Sequence, residues 1–251
     1  LLFYSAGSVY QQTHTRNMDK LGGLIKQMPQ TAALFLIGAI AIAGIPPFNG
    51  FISEFIIYSG LVEGLKLGEL SQTSLIVLTF AGLSIIGGIS LLAFSKTFSA
   101  IFLGSARKTL HHKPHEVSRL MLVPQYLIVA VMISVAFMPQ FYMNGISQLL
   151  SAMNLAPVLA EPVAVTTNYE IVSTINLYFL ILTGIVALIW GIRYVATKEK
   201  KSEINETWGC AYVAPNNRMQ YTGKSFSKPF AKIFSFIVIE EKKFKELEPG
   251  E

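Results

Sequence analysis

The sequence predicts an all-α fold, a polytopic membrane helix bundle with one discontinuous transmembrane helix, and three observations predict it. Hydrophobic residues make up 52% of the chain and charged ones only 14%, against the roughly 25% charged residues of an ordinary soluble domain. The apolar residues are gathered in long runs instead of alternating at short period, so the bilayer is the solvent they suit. One of these runs is split near its middle by two adjacent prolines, which no continuous helix can accommodate.

The elements follow in chain order. Residues 1–10, LLFYSAGSVY, are apolar but carry no initiating Met, basic leader or small-residue cleavage site. They read as the second half of a truncated transmembrane helix, since about twenty residues are needed to cross the hydrocarbon; the chain is therefore expected to start inside a longer protein. Residues 11–139 are expected to form the bundle, with a broken helix over 31–62 and helices over 74–103 and 120–139. An extracytoplasmic loop is expected over 140–170, a further transmembrane helix over 171–196, and a tail over 197–251.

Charge sets the orientation. The 11–30 connection holds Arg16, Lys20 and Lys26, the 104–119 connection holds Arg107, Lys108, Lys113 and Arg119, and the tail opens with Lys198, Lys200 and Lys201. The 63–73 connection sets Lys66 against Glu63 and Glu69, and 140–170 has no Lys or Arg. By the positive-inside rule the basic loops and the tail are cytoplasmic, in a multi-pass protein of the cell inner (cytoplasmic) membrane. That parity requires the 31–62 segment to cross once.

The interruption reads Gly44-Ile45-Pro46-Pro47-Phe48-Asn49-Gly50. Two prolines remove two backbone donors and push the preceding residue out of the helical region. Irregular backbone at membrane depth is tolerated only where protein buries it or where it lines a hydrated cavity. Four residues beyond Gly50 stands Glu54, about 6 Å further along the second half-helix, in the run FISEFIIYSG with no basic neighbour. An ionisable group at bilayer depth costs at least ~2.5–3.5 kcal/mol and is commonly part of an ion or proton route; an interfacial Glu near a helix end is the bland alternative. Lys96, in AFSKTFSAIFLG, is either a partner of that path or a side chain that snorkels to the headgroups from near its helix end. Gly82, Gly87 and Gly88 suit close helix packing.

Other chemistry is poorly served. The net charge of +5 is scattered over loops and tail without aromatic interleaving, which argues against nucleic acid. A single cysteine, Cys210, excludes an intramolecular disulfide or a multi-thiolate metal site within this chain. His111, His112, His115 and Glu116 offer metal-ligand chemistry, but Pro114 and the flanking charges fit a loop better, and His14 is placed similarly. Without a phosphate loop, a nucleophile elbow or a cluster-binding cysteine pattern, no catalytic residue, cofactor or metal is expected. The apolar stretch at 230–239, too short to span and flanked by lysines, is expected to rest on the membrane surface or on a partner subunit.

Taken together the motifs resemble the antiporter-like subunits of respiratory complex I, the Mrp-type cation/proton antiporters and membrane-bound hydrogenases. A helix end like LLFYSAGSVY, a loop like HTRNMDKLGGL and a broken helix like FLIGAIAIAGIPPFNGFISEF stand in that family's order. The ending TWGCAYVAPNNRMQYTGKSFSKPF looks like the tail of formate-hydrogenlyase and hydrogenase-4 component B type subunits, although Gly209 and Ala211 depart from its pattern. The resemblance implies that Glu54 matches the ionisable residue of the second half-helix and serves as the terminal proton-exchange group. It also implies that the chain covers only the C-terminal part of the family pattern and is cut at both ends, that other membrane-arm subunits and a peripheral redox arm are partners, and that the redox chemistry of any parent oxidoreductase complex lies in other subunits. Three functions stay open: a proton-translocating membrane-arm subunit of a hydrogenase or NADH:quinone oxidoreductase-like complex, an Mrp-type antiporter subunit, and a non-conducting structural subunit.

Overall fold

A computed structural model describes residues 1–67, 70–107, 113–153, 162–198 and 220–235. Among the described residues helices are the only regular elements: α1 (Leu2–Thr13), α2 (Pro29–Ile42), α3 (Asn49–Leu67), α4 (Leu70–Phe102), α5 (Arg119–Phe137), α6 (Pro139–Ala152), α7 (Pro162–Thr197) and α8 (Gly223–Ile233). Two short 3-10 turns, Met18–Lys20 and Leu24–Lys26, fold the connection between α1 and α2.

Among the described residues three segments are long and apolar enough to cross a membrane: α4, α5 and residues 170–197 of α7. Their outward faces invert the rule for soluble helices. Leu78 is 70% exposed on α4 and Leu188 is 63% exposed on α7, and continuous apolar surface of this kind is what lipid covers. The chain is an integral membrane helix bundle, as its composition requires.

The fourth apolar run emerges as two helices. α2 has fourteen residues and α3 nineteen, and both pack along α4, whose 33 residues extend about 50 Å at 1.5 Å per residue. Phe35 of α2 meets Phe102 of α4 with ring centroids 5.4 Å apart. Ser90 Oγ of α4 donates to the carbonyl of Ile42 at the end of α2 (3.2 Å). On α3, Tyr58 OH lies 3.2 Å from Ser84 Oγ, and Gly64 faces Ile76. As the chain advances through 35, 42, 58 and 64, its partners on α4 recede through 102, 90, 84 and 76. The two half-helices therefore run in one direction, antiparallel to α4.

The 140–170 stretch differs from expectation. Instead of a loop it carries most of α6 and the first turns of α7. The absence of Lys and Arg marks a side of the membrane, not a conformation. In PQFYMNGISQLLSA the residues Phe141, Ile146 and Leu149 fall on one helical arc, and Tyr142 OH is fixed 2.6 Å from Ser134 Oγ of α5.

Packing is tightest where α1, α2, α4 and α5 meet. Val9, Leu24, Ala32, Phe35 and Phe102 form one buried cluster; Met28, Leu34, Val117, Leu122 and Val129 form a second. Between α1 and α5 the interior is polar. Gln125 is fully buried, accepts from Ser5 Oγ at 2.7 Å and donates to Ser8 Oγ at 3.2 Å, so a lone amide in an apolar helix finds its partners across the interface.

The start of α2 is capped from a distance. Pro29 occupies the first turn, where its missing donor costs nothing. Glu116 Oε2 accepts from Gln30 N at 2.8 Å and its Oε1 from Thr31 Oγ1 at 2.5 Å, placing a carboxylate at the positive end of the helix. Glu116→Ala should cost about 0.5–2 kcal/mol, the range for losing an N-cap. Thermal denaturation in detergent, with Glu116→Gln retaining part of the stability, checks this.

Candidate functional site at the helix break

The break occupies Ala43 to Phe48, between the two half-helices. Ala43 N and Gly44 N still donate backward, to Ala39 O (3.1 Å) and Ala41 O (3.3 Å), and Ile45 N reaches Ile40 O at 3.3 Å. Gly44 then adopts the left-handed conformation with φ 67°, which only glycine holds at little cost. Pro46 and Pro47 follow, joined by a cis peptide bond, and Asn49 opens α3. Gly50 brings the start of α3 so close to the end of α2 that a Cβ there would overlap the carbonyl of Ala41. Each residue singled out in the interruption thus has a distinct place in the turn.

Glu54 lies one turn into α3, and its side chain folds back over the break. A Cβ on Gly44 would collide with both carboxylate oxygens, so the acid rests directly on the Gly44 backbone. Glu54 forms no hydrogen bond or ion pair among the described residues; the ion pair found there, Lys66–Glu63 at 2.6 Å, is exposed at the far end of α3. At the start of the same helix, Asn49 Oδ1 is buried with no hydrogen-bond partner among the described residues. A cavity of about 160 Å³ lies against the same turn, between α2 and α4. It touches Ala43 and Ile45, the residues on either side of Gly44, and its mostly apolar wall includes the hydroxyl-bearing Ser95 and Ser99.

Lys96 is held elsewhere. Its Nζ donates to Ser227 Oγ of α8 at 2.6 Å, and its stem passes Gly223 beside Asp19. It stands six residues along α4 from Ser90, the residue at the level of the break, which is about 9 Å of helix rise. No contact joins it to Glu54 among the described residues.

Around Lys96 the loops are stitched together by Arg107, whose part the sequence reading did not foresee. Nη1 donates to the carbonyls of Leu21 and Ala100, and Nη2 to Tyr221 O at 2.8 Å. One guanidinium thereby joins the α1–α2 connection, the end of α4 and the segment leading into α8. Gln125 and Asn176 were also missed. Asn176 is 4% exposed, donates to Ala136 O at 2.6 Å, and leaves its Oδ1 buried without a partner among the described residues. The available signal was a single amide inside each otherwise apolar span, a group that must find an internal partner.

The histidine-rich loop gives no metal centre among the described residues. His111 and His112 lie outside the described residues, as does Cys210, and Glu116 commits both oxygens to α2.

Comparison with known proteins places the chain in a class. Residues 1–87 match the family described as NADH:quinone oxidoreductase/Mrp antiporter, TM. Hydrogenase-4 component B of Escherichia coli (strain K12) is 30% identical over 247 residues, covering 94% of this chain and 36% of that protein. Formate hydrogenlyase subunit 3 of the same organism is 36% identical over 107 residues, 43% of this chain and 18% of its own length. The Na(+)/H(+) antiporter subunit A1 of Staphylococcus saprophyticus is 35% identical over 147 residues, 58% of this chain and 18% of its own length. The chain thus spans about a third or less of the curated relatives it matches. At family level the resemblance carried by the sequence motifs holds: this is an antiporter-like membrane chain.

Gly50→Ala drives a methyl into the Ala41 carbonyl and should cost at least ~1–3 kcal/mol, as overpacking does. Gly60→Ala, on the same helix with nothing within 4 Å of the added carbon, should be neutral. The difference in thermal denaturation midpoint between the two variants measures how tightly the half-helices are locked.

Proposed function

We propose that the chain is part of a proton-translocating membrane-arm subunit of a hydrogenase or NADH:quinone oxidoreductase-like complex, with Glu54 as the group that exchanges protons at the helix break. One observation carries this reading: an acid without a partner among the described residues folds onto irregular backbone between two half-helices. Such a carboxylate is costly to keep in a membrane protein and is retained where an ion or proton must stop.

The surroundings support it. The cavity against Ala43 and Ile45 gives water room beside the turn, and its two serines offer water hydrogen-bonding partners. The common direction of α2 and α3 along α4 supports the single crossing that the alternation of basic and non-basic loops requires, and on this reading the tail and the Arg107 junction are cytoplasmic. Lys96, on that side of the break, is assigned the cytoplasmic end of the path. On this reading redox chemistry belongs to a peripheral arm and neighbouring membrane subunits. The relatives named as hydrogenase and formate hydrogenlyase subunits favour this assembly. The likeness to a sodium/proton antiporter subunit favours a second reading, in which the same helices exchange sodium for protons.

Glu54→Gln keeps the shape and removes the exchangeable charge. In the assembled complex it should slow proton translocation by about 100-fold or more, the scale of a lost positioned acid–base group, while subunit assembly is unchanged. Unaltered proton-to-electron stoichiometry in proteoliposomes would refute the assignment. Sodium counterflow in the same vesicles separates the two ion readings.

A further inference from the structure

The tail helix α8 has three distinct sides. Gly223 and Ser227 fasten it to the bundle: Gly223 N donates to Asp19 Oδ1 at 3.1 Å, and Ser227 accepts from Lys96 at 2.6 Å. A capping box between Thr222 and Ser225 fixes where the helix begins. On the second side Lys224, Lys228 and Lys232 recur at every fourth residue, all exposed. α8 contains no acidic residue, and none of the three lysines forms an ion pair among the described residues. Like charges at this spacing repel one another, and among the described residues the stripe has no counter-charge.

The third side is apolar. Phe226, Pro229, Phe230 and Ile233 join Leu92 of α4 to wall a groove of about 420 Å³, and Ile233 is left 69% exposed. Leu92 belongs to a helix long and apolar enough to span the membrane, so the groove is continuous with surface that faces hydrocarbon. The eleven residues of α8 extend only about 16 Å, too little to cross and well suited to lie in the interface.

We propose that α8 is an in-plane anchor for anionic phospholipid, with acyl chains filling the groove beside Leu92 and the lysine stripe engaging phosphate headgroups. The hydrocarbon-facing wall selects a lipid over a soluble anion, and the uncompensated stripe selects an anionic lipid over a zwitterionic one. The lysine stems are long enough to lift their ammonium groups from the helix flank to the headgroup layer. This inference stands independently of any role for Glu54.

The test places the protein in nanodiscs of phosphatidylcholine, with and without phosphatidylglycerol, and follows amide hydrogen exchange over 223–233. Phosphatidylglycerol should slow exchange several-fold. The triple variant K224Q/K228Q/K232Q should lose that effect, whereas K224R/K228R/K232R should keep it. Ile233→Ser should weaken protection in both lipids by removing an acyl-chain contact. Equal exchange in the two lipids would overturn the proposal, as would a phosphatidylglycerol effect that survives in the glutamine variant. Equal slowing by inorganic phosphate in detergent would assign the stripe to a soluble anion, and protection arising only with an added protein subunit would assign it to a protein partner; both outcomes reject the lipid site.

Discussion

Inside hydrocarbon a polypeptide has no solvent to accept its amides or donate to its carbonyls, so every interruption of a helix has to be closed by the protein itself. The turn between α2 and α3 shows how this is done. Backward bonds from Ala43, Gly44 and Ile45 use the last carbonyls of α2, and Ser90 of α4 reaches the Ile42 carbonyl. Gly50 lets the next helix start against Ala41 O. Most of the main chain of the turn is thereby accounted for, and among the described residues the buried polar atom there without a partner is a side-chain oxygen, Asn49 Oδ1.

This division explains what could be read in advance. The membrane class followed from composition, and the break followed from two adjacent prolines, because both are local covalent facts. The spans around α4, α5 and α7 were visible as apolar runs to within a few residues. The α6 region was hidden because loop charge reports on sidedness and is silent about helicity. Gln125, Asn176 and Arg107 were hidden for another reason: each has a partner 40 to 120 residues away, and no spacing rule links them. Lys96 was legible as a choice between two roles, and only its contact with a helix 131 residues further on reveals where its ammonium is held.

The loops on the Arg107 side form a rigid junction. Arg107 ties three segments by their carbonyls, and Gln220 pairs with both backbone groups of Ser105. Gly23 N bonds Leu103 O at 2.9 Å, while Gly22 lies too close to the Ser105 carbonyl to carry a side chain. The tail is therefore fastened to the end of α4, the helix along which both half-helices pack.

The position of the acid bears on its proposed role. Helix dipoles leave partial negative charge at the C-terminus of α2 and partial positive charge at the N-terminus of α3, and both ends meet around Ala41, Gly44 and Gly50. A carboxylate standing further along α3 would feel neither. By folding back onto Gly44, Glu54 enters the zone where the two helix ends face each other. A group meant to be permanently charged would be expected to have a fixed cation beside it, and a purely structural acid would be expected to have donors within reach; the described residues supply neither. An acid held between opposing partial charges, without a fixed partner among the described residues, fits a site that an ion or proton visits in passing, the role proposed for it.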